Sequence, residues 1–466
     1  MTPLLIGLGL FLALGAAAAA LSSAPSVANR CGALGVVCGT IAAAGTAIEA
    51  LREGRAVAWS AAWDPAHGAL HVGLDALSAF FLIPVLVLGA CAAVYGASYM
   101  ADQPRRKSLG GHWFFVNLFV AGMVGVLIAR SVVLFLVTWE IMSLAAFVLV
   151  TYEHQHAEVR RAGWIYLIAA HLGVACILAA LLLLGNRAGT FDFDQLRHAA
   201  VLTQGFASLV FFLALVGFGA KIGLIPVHVW LPEAHPAAPS HVSALMSGVM
   251  VKMGLYGLLR FATFLGPPPA WWGICLGTAG AATALFGIAM AIDQRDVKRV
   301  LAYSTIENMG LVVLSLGVGV WGWAVGQTAI SVLGFAAALI HIWNHAAMKG
   351  LMFFAAGSLL HATGSKDMDR MGGLMRRMPW TASTMLLGAV AVAALPPLNG
   401  FVGKWLLFLG LANVGLERSD AWGAGALLAT GAIAAVGGLA AVTFARLVGI
   451  ALLGAPRSEA ASRAHE

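Results

Sequence analysis

The stretch Val137–Tyr152, "VTWEIMSLAAFVLVTY", sets one carboxylate, Glu140, inside an apolar run that begins at Ser131. A charge in the middle of a membrane helix costs about 2.5–3.5 kcal/mol on insertion scales. Something else in the chain must offset that cost.

The chain has 466 residues, 61% hydrophobic and 10% charged, with a mean hydropathy of +0.89. Soluble domains carry about 25% charged residues, so this composition defines an integral membrane protein. Spans need about 17–25 apolar residues each. They are read at 3–21, 31–50, 74–98, 112–129, 131–151, 163–185, 204–235, 240–264, 270–291, 300–320, 325–360, 380–416 and 422–449. The fold class is therefore all-α, a polytopic transmembrane helix bundle of about 13–14 helices, because helices satisfy their own backbone groups in lipid. The alternating pattern of a β-barrel strand is absent.

The N-terminal run "MTPLLIGLGLFLALGAAAAALSSA" lacks a basic leader segment and reads as a retained first helix. The formal charge of +7 is no nucleic-acid signal, because its densest clusters are short loops: 103–107, 160–161, 293–299 and 366–377. All four fall on one face, which the positive-inside rule assigns to the cytoplasm, with the N-terminus outside a bacterial inner membrane. Five scattered cysteines (Cys31, Cys38, Cys91, Cys176, Cys275) have no iron–sulfur or zinc spacing. No phosphate-binding glycine motif follows a strand. Neither a cofactor nor a resident metal is expected.

Only seven lysines occur, and four lie within spans: Lys221, Lys252, Lys349 and Lys404. Any one of them could snorkel to the headgroups. Four together with Glu140 each need a partner or water, and intramembrane ionisable groups mark an ion or proton path. In "LIHIWNHAAMKGLMFF", His341, His345 and Lys349 recur at i, i+4 and i+8. They share one gently drifting helix face over roughly 12 Å. Neutral imidazole donates at one nitrogen and accepts at the other, which suits a proton relay. A histidine bonded to a backbone carbonyl is the alternative for His341, and a zinc site lacks further ligands. Glu307, in "STIENMG", is either a second intramembrane carboxylate near the histidines or a group at the membrane surface.

Two spans carry breakers. Pro226 interrupts "GAKIGLIPVHVWLPEAHPAAPS" just after Lys221, and Pro396, Pro397 and Gly400 interrupt "AALPPLNGFVGKW" just before Lys404. Broken helices survive in a bilayer only where they are buried or line a wet cavity. Paired interruptions point to inverted repeats around a transport path. The expected division is 1–108 (N-terminal helices), 109–264 and 265–449 (two repeat units) and 450–466 (polar tail).

These stretches, with "WEIMSLAAFVLV", "HPAAPSHVSALMSGVMVKMGLYG", "LAYSTIENMG" and "NHAAMKGLMFFAAGSLLHATG", resemble the proton-conducting, antiporter-like membrane subunits. That family includes the membrane-arm subunits of respiratory complex I (NADH dehydrogenase), subunits of Mrp antiporters and subunits of membrane-bound hydrogenases. "HPAAPSHVSALMSG" and "YSTIENMG" resemble the hydrogenase branch, as in hydrogenase-4 component B and the formate hydrogenlyase membrane subunit. The resemblance covers about residues 70–450. It implies that Glu140 pairs with Lys221, and that Lys252, His345, Lys349 and Lys404 continue the relay. It also implies proton translocation within an oxidoreductase complex, beside other membrane and hydrophilic subunits that hold the redox chemistry. A Na⁺(K⁺)/H⁺ antiporter component of the Mrp type is the alternative. The family pattern adds a fourteenth helix after 449, which this sequence does not contain.

The residue-level expectations are three. Glu140 and Lys221 form a direct ion pair inside the bundle; Glu307 lies beside the central histidines; and Lys221, Lys252, His345, Lys349 and Lys404 line one hydrated lateral path. Five buried basic groups cannot all hold their charge in a dry core, so such a row trades protons where waters bridge it.

Overall fold

Short polar caps start several of the helices. Asp75, Ser108, Ser131, Asp296 and Asp420 each accept backbone N–H groups from the first turn of the helix that follows, which satisfies donors that lipid cannot. The computed structural model describes residues 1–64, 68–101, 108–198, 202–417 and 419–466. The basic stretch 103–107 lies outside them.

The chain divides into two units. The first comprises Met1–Ile222 and Ala237–Gly266. It contains α1 (Thr2–Ala20), α2 (Pro25–Glu53), a hairpin of β1 (Val57–Asp64) and β2 (Gly68–Leu74), α3 (Ala76–Tyr99), α4 (Leu109–Ile128), α5 (Val132–Val150) and α6 (Ala157–Ala188). A short α7 (Phe193–Leu196) and α8 (Gln204–Ile222) follow. The chain then leaves this unit through α9 (Leu231–Ala237) and returns as α10 (Ser240–Leu245), a π turn (Met246–Met250) and α11 (Val251–Ala262). The second unit comprises Gly223–Pro236 and Pro267–Glu466. It holds α12 (Ala270–Ile292), α13 (Val297–Ala324), α14 (Thr328–Thr363), the short α15 (Leu374–Arg377), α16 (Pro379–Val392), α17 (Asn399–Glu417), α18 (Ala421–Ala451) and α19 (Glu459–Arg463).

Among the described residues, twelve helices are long and apolar enough to cross a membrane. The pair α16–α17 occupies the stretch read as a further, broken span. The protein is thus a multi-pass membrane protein, as its composition requires. The β1–β2 hairpin lies between two of the expected spans, in a stretch for which the sequence yields no element. In each run of five spans (α4, α5, α6, α8–α9, α10–α11 and α12, α13, α14, α16–α17, α18) the fourth is the interrupted one.

Both breaks are locally satisfied. After Lys221 the backbone turns at Gly223 (φ 88°), and the Ile225–Pro226 peptide is cis. Within the second unit, the Ile225 N–H freed by that break donates to Thr283 Oγ1 at 3.2 Å. The second break passes through Ala394 (φ 58°) and a cis Pro396–Pro397 peptide. There Asn344 Nδ2 donates to the Asn399 carbonyl at 2.7 Å. Gly400 is needed for contact: a Cβ there would collide with the Ala391 carbonyl.

Glycine also sets the distance between α12 and α13. Gly273, Gly280 and Gly287 recur every seven residues on α12, each against α13 backbone. A Cβ on Gly287 would lie 2.5 Å from the Glu307 amide nitrogen. Small residues permit this close backbone approach within a membrane, and here it seats the helix that carries Glu307.

At one end of the first unit, Asp75 collects three arginines. Arg260, 1% exposed, forms a bidentate fork to it at 2.6 and 2.7 Å; Arg130 and Arg197 approach at 3.3 and 3.4 Å. His71 of the hairpin bonds Asp192 at 2.7 Å, tying the hairpin to the segment before α7. Burial by itself would raise the Asp75 carboxyl, but the Arg260 and Arg130 contacts and the Ser78 amide hold it far below the usual carboxylate range. Its stabilisation is therefore present above about pH 3.9 and is lost only as pH falls below that value. Removing one partner of such a buried pair costs about 3–5 kcal/mol. Arg260→Met should accordingly lower the thermal unfolding midpoint of the detergent-solubilised protein sharply. A midpoint equal to wild type would show that Arg130 and Arg197 suffice.

Candidate functional site

The ionisable groups expected in the membrane are held separately in the first unit and form one cluster in the second. In the first unit, Lys221 ends α8 and is buried. Its Nζ donates to Ser143 Oγ at 2.8 Å and to Tyr166 Oη at 3.4 Å, and it lies 5.6 Å from the Trp139 ring centroid. The expected direct Glu140–Lys221 ion pair is not formed. Glu140 and Ser143 are three residues apart on α5, so they sit about 60° apart around the helix. Ser143 takes the inward position beside Lys221. Glu140 remains 31% exposed on the outer face, where its carboxylate lies 3.8 Å from His171 Nε2 of α6, itself 51% exposed.

Lys252 is buried at the start of α11. The preceding π turn carries the Ser247 carbonyl to its Nζ at 2.5 Å. A π turn repeats more slowly than an α-helix, so a partner five residues back lies on the lysine's own face.

In the second unit, Ser304, Glu307 and Asn308 share one face of α13 at i, i+3 and i+4. Glu307 is fully buried. One oxygen accepts from Lys404 Nζ of α17 at 3.3 Å, and the other accepts from Asn308 Nδ2 at 2.5 Å. Asn308 Oδ1 lies 2.8 Å from His341 Nε2 of α14. Lys349 of α14 donates to Ser304 Oγ and to the Leu301 carbonyl at 3.1 Å. The His345 ring centroid is 6.4 Å from that of His341. Glu307, His341, His345, Lys349 and Lys404 thus converge from three helices. Glu307 is the eleventh residue of α13, about 15 Å from its start, so it occupies the middle of a span. Pro396, Pro397 and Gly400 lie at the break that begins α17, and Pro226 at the break after α8.

Sequence reasoning missed Asn308, which joins Glu307 to His341, and the hydroxyls of Ser143, Tyr166 and Ser304. It also missed His171. Asn308 had a legible signal: it is polar, adjacent to Glu307 and inside a span.

The described residues thus form a multi-helix membrane bundle with two interrupted spans and, in the second unit, a buried lysine–carboxylate–histidine cluster. The model of the family described as "NADH:quinone oxidoreductase/Mrp antiporter, TM" matches residues 129–428, and the chain belongs to that family. Hydrogenase-4 component B of Escherichia coli (strain K12) is 40% identical over 400 residues, covering 85% of this chain and 59% of that protein. Formate hydrogenlyase subunit 3 of the same organism is 35% identical over 84% of this chain and 63% of its own length. The chain therefore spans about 60% of the length of these relatives. The solved Mrp complex from Dietzia sp. DQ12-45-1b superposes with a TM-score of 0.81 at 28% identity, over 98% of this chain and 48% of the matched one.

Asn308 bridges the carboxylate and the imidazole. Leucine there would leave the buried Glu307, His341 and Ser304 groups short of a partner, at about 1–3 kcal/mol each. Asn308→Leu should therefore unfold at a lower temperature than wild type, with Asn308→Gln nearer to it. Equal midpoints for wild type and Asn308→Leu would mean that the three groups re-pair.

Proposed function

We propose that this chain is the proton-translocating, antiporter-like subunit of a hydrogenase-type, complex I-related respiratory assembly in a bacterial inner membrane, with its N-terminus outside. Family membership and the similarity to hydrogenase-4 component B support the reading. The observation that carries it is the fully buried Glu307, held by Lys404 and linked through Asn308 to His341, with Lys349 bonded one turn away. A carboxylate and two lysines inside one span-lined core are costly unless they exchange charge.

In this reading a proton arriving at His341 or Lys349 weakens or strengthens the Glu307–Lys404 contact, since charging one site disfavours charging the next. Lys221 and Lys252 perform the matching task in the first unit. The partners are further membrane and hydrophilic subunits. The Glu140–His171 face of α5 and α6 would meet one of the membrane subunits, because a mid-span carboxylate facing lipid is unfavourable.

The second reading is Mrp-type exchange of Na⁺ or K⁺ for H⁺, favoured by the likeness to the Mrp complex. Inverted membrane vesicles containing the assembled complex separate the two. Proton uptake driven by electron transfer supports the first reading, and proton release driven by a Na⁺ gradient supports the second. Lys349→Ala and Glu307→Gln are each expected to lower proton flux at least tenfold while assembly on native gels is retained. Full pumping by assembled Lys349→Ala would refute the relay.

A further inference from the structure

A cavity of about 920 Å³ opens at the ends of α4 and α5 and is lined by Ser108, His112, Thr151, Tyr152, His154 and Gln155, among others. This is the end that the basic-loop pattern assigns to the cytoplasm. His112 lies at its wall, itself buried. Behind it stands a second buried imidazole, His241, with the two Nε2 atoms 2.8 Å apart. His112 Nδ1 makes no hydrogen bond within the described residues. Neither histidine belongs to the groups described above.

Two facing Nε2 atoms at this distance admit only an N–H···N bond, with one ring donating and the other accepting. Geometry holds them so. The His241 ring lies against Gly96 of α3, where a Cβ would sit 2.9 Å from its Cδ2. Tyr152 closes the other side, its ring centroid 4.9 Å from that of His112. Burial, with Glu153 beside it, pushes the Tyr152 phenol up to about 12, so Tyr152 itself stays neutral.

His241 is the second residue of α10. The same span, Ser240–Ala262, leads through Ser243, Ser247 and the π turn to Lys252. Eleven residues separate the two, about 16 Å of helix. The span thus has an imidazole at its cavity end and a buried lysine at mid-depth.

We propose that His112 and His241 form the entry for protons from the cytoplasmic cavity to Lys252. His112 accepts a proton at Nδ1 and passes its Nε2 proton to His241 Nε2. His241 then releases its Nδ1 proton inward, and tautomer exchange through water resets the pair. The inference rests on the proton-translocation reading, to which it adds the entrance and its two residues.

The test is proton uptake by inverted vesicles containing the whole assembled complex. His112→Ala and His241→Ala should each lower flux about tenfold, about 1.4 kcal/mol of barrier. Added imidazole should restore His112→Ala, whose truncated site faces the open cavity, but not His241→Ala, whose site is enclosed. His112→Phe, which keeps the ring volume, should stay low with imidazole present. A purely structural role predicts no rescue. Assembled His112→Phe pumping at the wild-type rate, or His112→Ala that imidazole does not restore, overturns the entry. Wild-type vesicles that move no protons overturn the parent reading and this inference with it.

Discussion

A buried carboxylate has no water to stabilise it, so its neighbours must, and Glu307 depends on groups from three helices. Lys404 arrives on α17, Asn308 lies on Glu307's own helix, and Asn308 in turn meets His341 on α14. That convergence imposes the surrounding architecture. α13 must lie close to α12, and the glycines at 273, 280 and 287 allow it. α17 must begin in mid-span for Lys404 to enter where it does, which requires the Pro396–Pro397 interruption and a residue without a side chain at 400. The break leaves backbone groups exposed, and Asn344, one residue before His345, bonds the Asn399 carbonyl across it. The polar site and the irregular backbone are one construction.

The legible parts of this arrangement were those written in rare residues. A lysine, proline or glutamate inside an apolar run is conspicuous because the membrane penalises it, so Lys221, Lys349, Lys404, Glu307 and both breaks could be placed from the sequence. Orientation around a helix was not legible. α5 is apolar on every side, and such a helix has no stripe to mark its inner face. The assignment of Glu140 to the interior therefore had no support in periodicity, and the structure gives that position to Ser143. The small hydroxyls escaped notice for a related reason. A serine costs little in a span, so its presence signals nothing until a lysine is found against it. The β1–β2 hairpin was not legible because span-length apolar runs were the only signal sought, and its short strands fall between two of them.

The two units differ in how their lysines are held, and the difference bears on proton exchange. Lys404 faces a carboxylate, so their contact is strongest when both groups are charged. Lys221 and Lys349 instead bond to serine hydroxyls. A hydroxyl accepts a hydrogen bond from an ammonium and can donate one to a neutral amine. The contact therefore persists in both protonation states, with only the hydroxyl hydrogen turning. Lys252 bonds to the Ser247 carbonyl, which a neutral amine can still satisfy with its remaining N–H groups. Three lysines are thus held by partners that tolerate either charge state, and one is held by a partner that prefers it charged. A relay needs both kinds: sites that change protonation without moving, and one pair whose strength depends on what its neighbours carry. In the second unit both kinds are present, with Ser304, Glu307 and Asn308 of α13 side by side. Under the proposed function, the state of Lys349 reaches the Glu307–Lys404 pair through a single turn of helix.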